Sequence, residues 1–486
     1  MEQINLLFAL LYPYFIGASL LALLWPTKQQ KKAPVGLFWL LAFAGGFGLI
    51  GLVFFLLSLQ GLRPTLWLIL GLTLPIPLAG RYLFQRRPRI YQPALWQEFQ
   101  HSGRLSWLLL GFIVLIIVGH FFLTMLLPMW EIDCLAIYSL KAKIFFSETI
   151  GKTSLLHDFS RGYAHLDYPL FFPILQSWIY TGLGHVNDRL VRALFSVIFA
   201  MMLLAAYVFQ RQWRLPVWWS LLLTLLLGLM RPLFNHSSSG NADTLFGLFT
   251  GSAALLILHF LERSGPDHDD GDRFFIIAAA AFSSLAMVTK NEGLGFFLIM
   301  SIVLSGTLLW RRRLATRTRL NLMITYIGLS LGLALPWLLF WRTIPQIHEN
   351  YPARLLQLSF SQIQARLGFI FLSIFQEMTN WRDWQLLWIV LVGLLVWLIF
   401  AKKSLPLRLA WLGLILLPLS MYILIYAATP HPLAELIPVT LSRLLLHIIL
   451  PAHLLVSRGL FTLLFHSPPE ANQSAETNTT TNPCES

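Results

Sequence analysis

Thirteen apolar stretches of about 16 to 25 residues follow one another along this chain, and most are long enough to cross a hydrocarbon layer ~30 Å thick at ~1.5 Å per residue. They lie near 4–25, 36–59, 65–80, 105–127, 189–209, 216–234, 242–261, 274–289, 293–310, 320–341, 385–400, 408–427 and 444–465. No water-soluble core has room for so much apolar chain. Of the 486 residues 57% are hydrophobic and 12% charged, against roughly 45–50% and about 25% in soluble domains. The sequence therefore predicts an all-α polytopic membrane protein with about thirteen transmembrane helices. The first run lacks a basic leader and a small-residue cleavage site, so it reads as a retained helix rather than a signal peptide.

Loop charge orients the spans. The chain has 35 Lys and Arg against 22 Asp and Glu, a formal charge of +13. Basic residues gather in alternate short loops: Lys28, Lys31 and Lys32; Arg81 to Arg104; Arg211 and Arg214; Arg263 and Arg273; Arg311 to Arg319; Lys402, Lys403 and Arg408. Positive-inside retention and anionic lipid account for them, and a nucleic-acid partner is not expected. That bias puts the long loops 128–188 and 342–384, with the N-terminus, on the outer side of the membrane. The C-terminal end, including the polar, disordered tail 467–486, lies in the cytoplasm. Cys134 and Cys484 then face opposite sides, so no disulfide is expected. The apolar stretch 168–184 would invert every later loop if it crossed. It is expected as an outer juxtamembrane or re-entrant helix, with Trp178 and Tyr180 at the interface, and 357–378 reads as a similar amphipathic stretch.

Polar residues gather in these outer segments. In WEIDCLAIYSLKAKIFF, residues 130–146, helical spacing puts Asp133, Ile137 and Lys141 on one face. A carboxylate there, Asp133 or its neighbour Glu131, suits proton removal from an attacking hydroxyl, while Lys141 and Lys143 suit a phosphate leaving group. A solvated interfacial helix explains the same pattern. His165, Asp167 and Tyr168 precede a Pro-containing helix start, where Asp167 suits a cap as well as a substrate contact.

Asp243 opens a span that has no other acid before Glu262, as a first-turn charge or a functional group. Lys290, Asn291 and Glu292 form a turn pinned between two apolar runs, a polar turn of the kind tolerated beside a cavity. Arg443 and His447, four residues apart, share a helix face, and a guanidinium fork there suits a phosphate. Arg231 and Arg458 read as snorkelling residues. No Walker loop, HExxH, CxxC, dinucleotide fingerprint or GxSxG elbow is present, which gives no support to a nucleotide or metal cofactor.

The order of these features resembles the GT-C fold glycosyltransferases, the membrane enzymes that use polyprenyl-phosphate sugars. Protein O-mannosyltransferases and lipid A aminoarabinose transferases are examples, and the pattern is nearest a family-39-like branch. The likeness runs over about residues 105–310 and more weakly to SRLLLHIILP. It implies a general base at Asp133 with Glu131 beside it, a second acid at Asp243 in NADTLF, and the lysine turn at Lys290 in TKNEG. The chain departs from the aminoarabinose branch at Tyr168, where that branch has a Lys before Pro-Pro, and at Ala136, where it has an Arg.

The resemblance implies three extra N-terminal helices and a basic linker in 1–104, then a catalytic core in 105–310 that includes loop 128–188. C-terminal helices with loop 342–384 would fill 311–466. The activity implied is inverting transfer of a sugar from a polyprenyl phosphate to a glycan, lipid or protein hydroxyl on the outer face of a bacterial plasma membrane, without a metal. Donor phosphate would meet Lys141, Lys143, Lys290 and Arg443, and substrate would meet His165, Asp167, Tyr168, Glu292 and His447. A flippase for a lipid-linked sugar is the alternative. No internal repeat is evident, which disfavours an inverted-repeat carrier.

Overall fold

The computed structural model describes residues 1–24, 35–86, 102–263, 270–310, 315–345, 351–400 and 404–465. The predicted tail 467–486, Cys484, and the basic residues Lys28, Lys31, Lys32, Arg87, Arg89, Arg311, Arg312, Arg313, Lys402 and Lys403 lie outside them. All regular structure among the described residues is helical. In chain order the main helices are α1 (Glu2–Leu24), α2 (Val35–Leu59), α3 (Leu66–Thr73), α4 (Pro75–Arg86), α5 (Arg104–Leu126), α6 (Leu140–Ser147), α7 (Phe171–Leu183), α8 (Ala193–Gln212), α9 (Val217–Gly228) and α10 (Arg231–Ser239). They continue with α11 (Asp243–Arg263), α12 (Asp270–Met287), α13 (Glu292–Trp310), α14 (Thr316–Trp341), α15 (Phe360–Thr379), α16 (Leu387–Phe400), α17 (Leu405–Ala428), α18 (Leu433–Leu446) and α19 (Ile449–Phe465).

Each of the thirteen apolar runs is helical, but they are not equivalent. Among the described residues eight helices are long and apolar enough to cross a membrane, which makes this an α-helical polytopic membrane protein. Two further runs belong to bent pairs, α9 with α10 at 62° and α18 with α19 at 60°, and three shorter apolar helices remain, Leu66–Tyr82, Arg273–Met287 and Leu387–Phe400. The breaks have local causes. Pro75 starts α4 where α3 stops, and Pro232 sits in the first turn of α10, where a missing N–H costs nothing.

Among the described residues, beside a small second cluster of Leu215, Trp219 and Leu223, a main buried core runs through the molecule, from Leu6 to Val456. The helix α11 lies at its centre, with every residue from Asp243 to Leu261 buried, and packs against α8, α12, α18 and α19. The N-terminal pair α1 and α2 packs on α7, and α2 also meets α8 and α12.

The segment 168–184 departs from expectation. Its helix α7 has 13 residues, about 20 Å at the α-helical rise, too short to cross. All of it except Thr181 is buried, so Trp178 and Tyr180 are not interfacial. The Trp178 indole N–H donates to the Ala9 carbonyl at 2.8 Å, tying α7 to α1. An apolar helix with no wet face is stable only when other helices surround it. By contrast α15 buries only Ile370 and starts at a reciprocal cap between Ser359 and Gln362, in keeping with an amphipathic stretch.

Candidate functional site

Four separated segments bring their charged side chains to the end of the bundle where α11 begins. The first is the stretch after α5, where Asp133 opens a π-helical turn, Asp133–Ser139, that runs into α6. The wider winding changes the register assumed from α-helical spacing. Asp133 and Lys141 consequently do not work as a facing pair. Asp133 keeps about a third of its side chain exposed and accepts from the Arg443 guanidinium, Nη2 to Oδ2 2.7 Å.

The second segment is the start of α11. The Asp243 carboxylate is fully buried and takes three partners: Arg443 Nε at 2.9 Å on Oδ2, Lys290 Nζ at 2.7 Å on Oδ1, and His447 Nε2 at 3.0 Å on Oδ1. These side-chain bonds, rather than a helix cap, account for an acid at this position. The third segment is the turn between α12 and α13, where Lys290 also lies 3.3 Å from Glu292. A Cβ at Gly293 would sit 2.4 Å from the Ala286 carbonyl oxygen, so the tight turn that aims Lys290 inward needs glycine there.

The fourth segment is the bend between α18 and α19. The helix stops at Leu446 with His447 as its cap residue, yet Arg443 and His447 both reach Asp243. That approach depends on Gly247, where a Cβ would lie 2.5 Å from the Leu446 carbonyl. The Tyr422 hydroxyl shares a 2.5 Å hydrogen bond with His447 Nδ1, and Thr250 donates to the His447 carbonyl at 2.9 Å. Charges therefore alternate along one line, Glu292, Lys290, Asp243, Arg443, Asp133. Solvent reaches the line at both ends, most at Asp133, and leaves Asp243 and Lys290 buried between them. Glu131 lies half-buried nearby; burial raises its carboxyl pKa, and the Arg443 charge opposes that shift.

Tyr168 is half-buried within electrostatic reach of Glu292, Lys290 and Asp133, and burial holds its hydroxyl in the neutral form. The remaining sequence candidates stand apart from the ion line. Lys141 is fully buried and donates to the His165 carbonyl at 2.6 Å. Burial lowers its pKa to about 7, against a smaller upward pull from Asp167. Lys143 pairs at 2.6 Å with Asp188, which also accepts from the Tyr180 hydroxyl at 3.1 Å. The phosphate role read for Lys141 and Lys143 is therefore not matched by their positions.

His165 is exposed, in a left-handed conformation with φ 45°, its ring 4.6 Å from that of Tyr168. Asp167 is buried but does not cap α7, which starts four residues later behind Leu170; the Asp167 carbonyl instead accepts from the Trp341 indole at 3.1 Å. Cys134 is buried and free.

Sequence reasoning missed Tyr422, one of several aromatic residues in an apolar helix, with nothing in its spacing to mark it. It also misread Arg458, whose guanidinium binds both oxygens of Glu262 at 2.7 Å. Trp213 and Trp411 donate to the same carboxylate at 2.6 and 3.1 Å, so Arg458 is a structural partner and not a snorkelling residue. Arg231 remains largely exposed, 3.6 Å from Asp383. Among the described residues, no three His, Cys, Asp or Glu side chains come together as a metal-holding set. No family model, curated protein or solved structure matches the chain.

Proposed function

We propose that this protein is a GT-C type glycosyltransferase with about thirteen spans. It would move a sugar from a polyprenyl-phosphate donor to an envelope hydroxyl, with inversion, on the outer face of a bacterial plasma membrane. The observation that carries the reading is the Asp133–Arg443–Asp243 bridge, in which a solvent-reaching carboxylate is backed by a guanidinium anchored on a buried one. Carboxylate and cation there lie side by side, as proton removal from an acceptor and neutralisation of a departing phosphate require.

In the resting arrangement both cations are already paired, so the donor phosphate binds by exchange. Arg443 keeps its Nε bond to Asp243 and turns Nη2 from Asp133 to a phosphate oxygen, the bidentate-capable group being suited to that swap. Asp133, released from the Arg443 guanidinium, then has its carboxylate oxygens open to the acceptor hydroxyl. It removes the acceptor proton as the hydroxyl attacks the anomeric carbon, and the lipid phosphate leaves toward Arg443 and Lys290. His447, held between Tyr422 and Asp243, orients Asp243. No metal takes part in this scheme.

A carrier for lipid-linked sugars is the second reading. The Glu262–Arg458 pair favours it, since it puts a polar station at the far end of the same helix, α11, about 28 Å away at the helical rise. Purified protein incubated with radiolabelled polyprenyl-phosphate sugars and envelope acceptors separates the two. A new glycosidic product supports transfer, and sugar movement across a vesicle membrane without product overturns it.

A further inference from the structure

An apolar cavity of about 350 Å³ lies between α1, α2, α7, α12 and α14. Leu20, Gly45, Gly48, Phe171, Leu285 and Trp337 are among its lining residues, and the Ser284 hydroxyl and the Trp337 indole are the only polar side-chain groups among those described. Three of its walls, α1, α2 and α14, are helices of spanning length, so it lies at hydrocarbon depth, and it opens sideways past the exposed Leu24, Ile277 and Leu333. An apolar void forfeits dispersion contacts along its whole lining, and in a bilayer the material at hand to restore them is a hydrocarbon chain.

One end of the cavity adjoins the ion line. Val288, in its wall, is two residues from Lys290, and its carbonyl accepts from the Phe171 N–H at 3.1 Å. That bond fixes the start of α7, just after Tyr168, against the lysine turn. From there the cavity runs between α2 and α12 to Leu20 and Leu24 near the far end of α1. The cavity reaches the lysine turn through Val288, and its volume falls in the small-molecule range of roughly 300 to 1,000 Å³, enough for one chain of an amphiphile whose head lies at that turn but not for a bulky two-chain lipid.

We propose that the N-terminal helices α1 and α2 form one wall of a groove that holds the prenyl chain of the lipid-phosphate substrate. The identity of the occupant rests on the glycosyl-transfer reading; the groove and its walls do not. The N-terminal helices, which lie outside the stretch that resembles glycosyltransferases, thereby select the lipid rather than take part in the chemistry. The small residues Gly45 and Ala281 face the groove from its two sides and leave its width open.

The test uses full-length protein in nanodiscs and a tetraprenyl phosphate with a diazirine at the end of its chain. Photolabelling is expected on peptides containing Leu20–Leu24 and Ala44–Leu52, competed by unlabelled tetraprenyl phosphate. Ala281→Trp, which fills the groove, is expected to cut labelling by about tenfold or more, and Gly45→Leu, a smaller intrusion, by less, with thermal unfolding within a few degrees of wild type. In transfer assays Ala281→Trp raises KM for long-chain donors and leaves kcat with a short-chain donor unchanged. Labelling elsewhere, labelling indifferent to Ala281→Trp in a folded protein, or equal competition by phosphatidylethanolamine overturns the groove. Labelling in the groove with no transfer to any acceptor leaves the groove standing and removes the glycosyltransferase reading.

Discussion

Arg443 donates to Asp133 at 2.7 Å, joining the π-helical turn after α5 to α18, the last helix but one. The same guanidinium holds Asp243, so a single side chain links the solvent-reaching acid to the buried one. The consequences of removing each part differ.

Asp133→Asn keeps size and one hydrogen-bonding oxygen but loses the base. Transfer is expected to fall by about 10² to 10⁴-fold, as for removal of a general base, while membrane insertion and donor binding persist. Product formation and retention of a labelled donor are measured side by side. Turnover near wild type would shift the base to Glu131, the half-buried neighbour whose pKa burial raises.

Arg443→Met leaves Asp243 buried without one of its two flanking cations. Breaking a buried pair by removing one partner costs about 3–5 kcal/mol, so a large fall in unfolding temperature in detergent is expected. Arg443→Lys restores charge without the fork and is expected to recover stability more than activity, because one ammonium cannot hold Asp243 and a phosphate in the same geometry. Equal recovery of both would contradict the exchange mechanism.

Lys143→Ala separates the sequence pattern from the folded arrangement. Lys143 pairs with Asp188 at the surface, both partners more than a third exposed, a contact worth roughly 0–1 kcal/mol. Transfer rate and melting temperature should both stay close to wild type. A loss of activity comparable to that of Asp133→Asn would place a phosphate at Lys143 after all.

Lys141 gives a pH signature. Burial lowers its pKa to about 7 from an ordinary value near 10.5, so between those limits the unfolded chain binds more protons than the folded one. Its contribution therefore makes folding more favourable as pH rises from about 7 to about 10, with no dependence below 7, where both states are protonated. Lys141→Met should flatten that part of a stability-against-pH curve. An unchanged curve would show that Lys141 is not the group responsible.

Glu262→Gln removes the charge that Arg458, Trp213 and Trp411 share at the far end of α11. A loss on the order of 3 kcal/mol and a change in tryptophan fluorescence are expected, with transfer per folded molecule unaffected. A selective loss of lipid-sugar transport in a folded variant would instead support the carrier reading.

Much of this architecture is legible residue by residue. Apolar runs announce helices because a backbone in hydrocarbon must satisfy its own hydrogen bonds. Asp243, Lys290 and Arg443 stand out because charge beside such runs is costly. What escapes is direction. The π-helical winding at Asp133–Ser139 turns Lys141 toward the His165 carbonyl, and no local spacing rule distinguishes it from an α-helix. Helix α7 looks interfacial because its aromatic residues suit an interface equally well as a core, and only the contacts with α1, α2 and α6 decide between them. The Tyr422–His447 bond and the Glu262 cluster are likewise invisible, since the first depends on how two consecutive helices cross and the second joins helices distant in sequence.

By itself the sequence determined that the chain is helical and membrane-embedded, and which few ionisable residues sit near its apolar runs. Transfer free energy and helix geometry act locally and are written in composition and period. Only the tertiary structure decided that Asp133, Asp243, Lys290, Glu292, Arg443 and His447 form one charge line, while Lys141 and Lys143 turn elsewhere. Ion pairing falls off within a few ångströms, so partners are fixed by how helices cross and where they bend, and those packing choices are made collectively by the whole bundle.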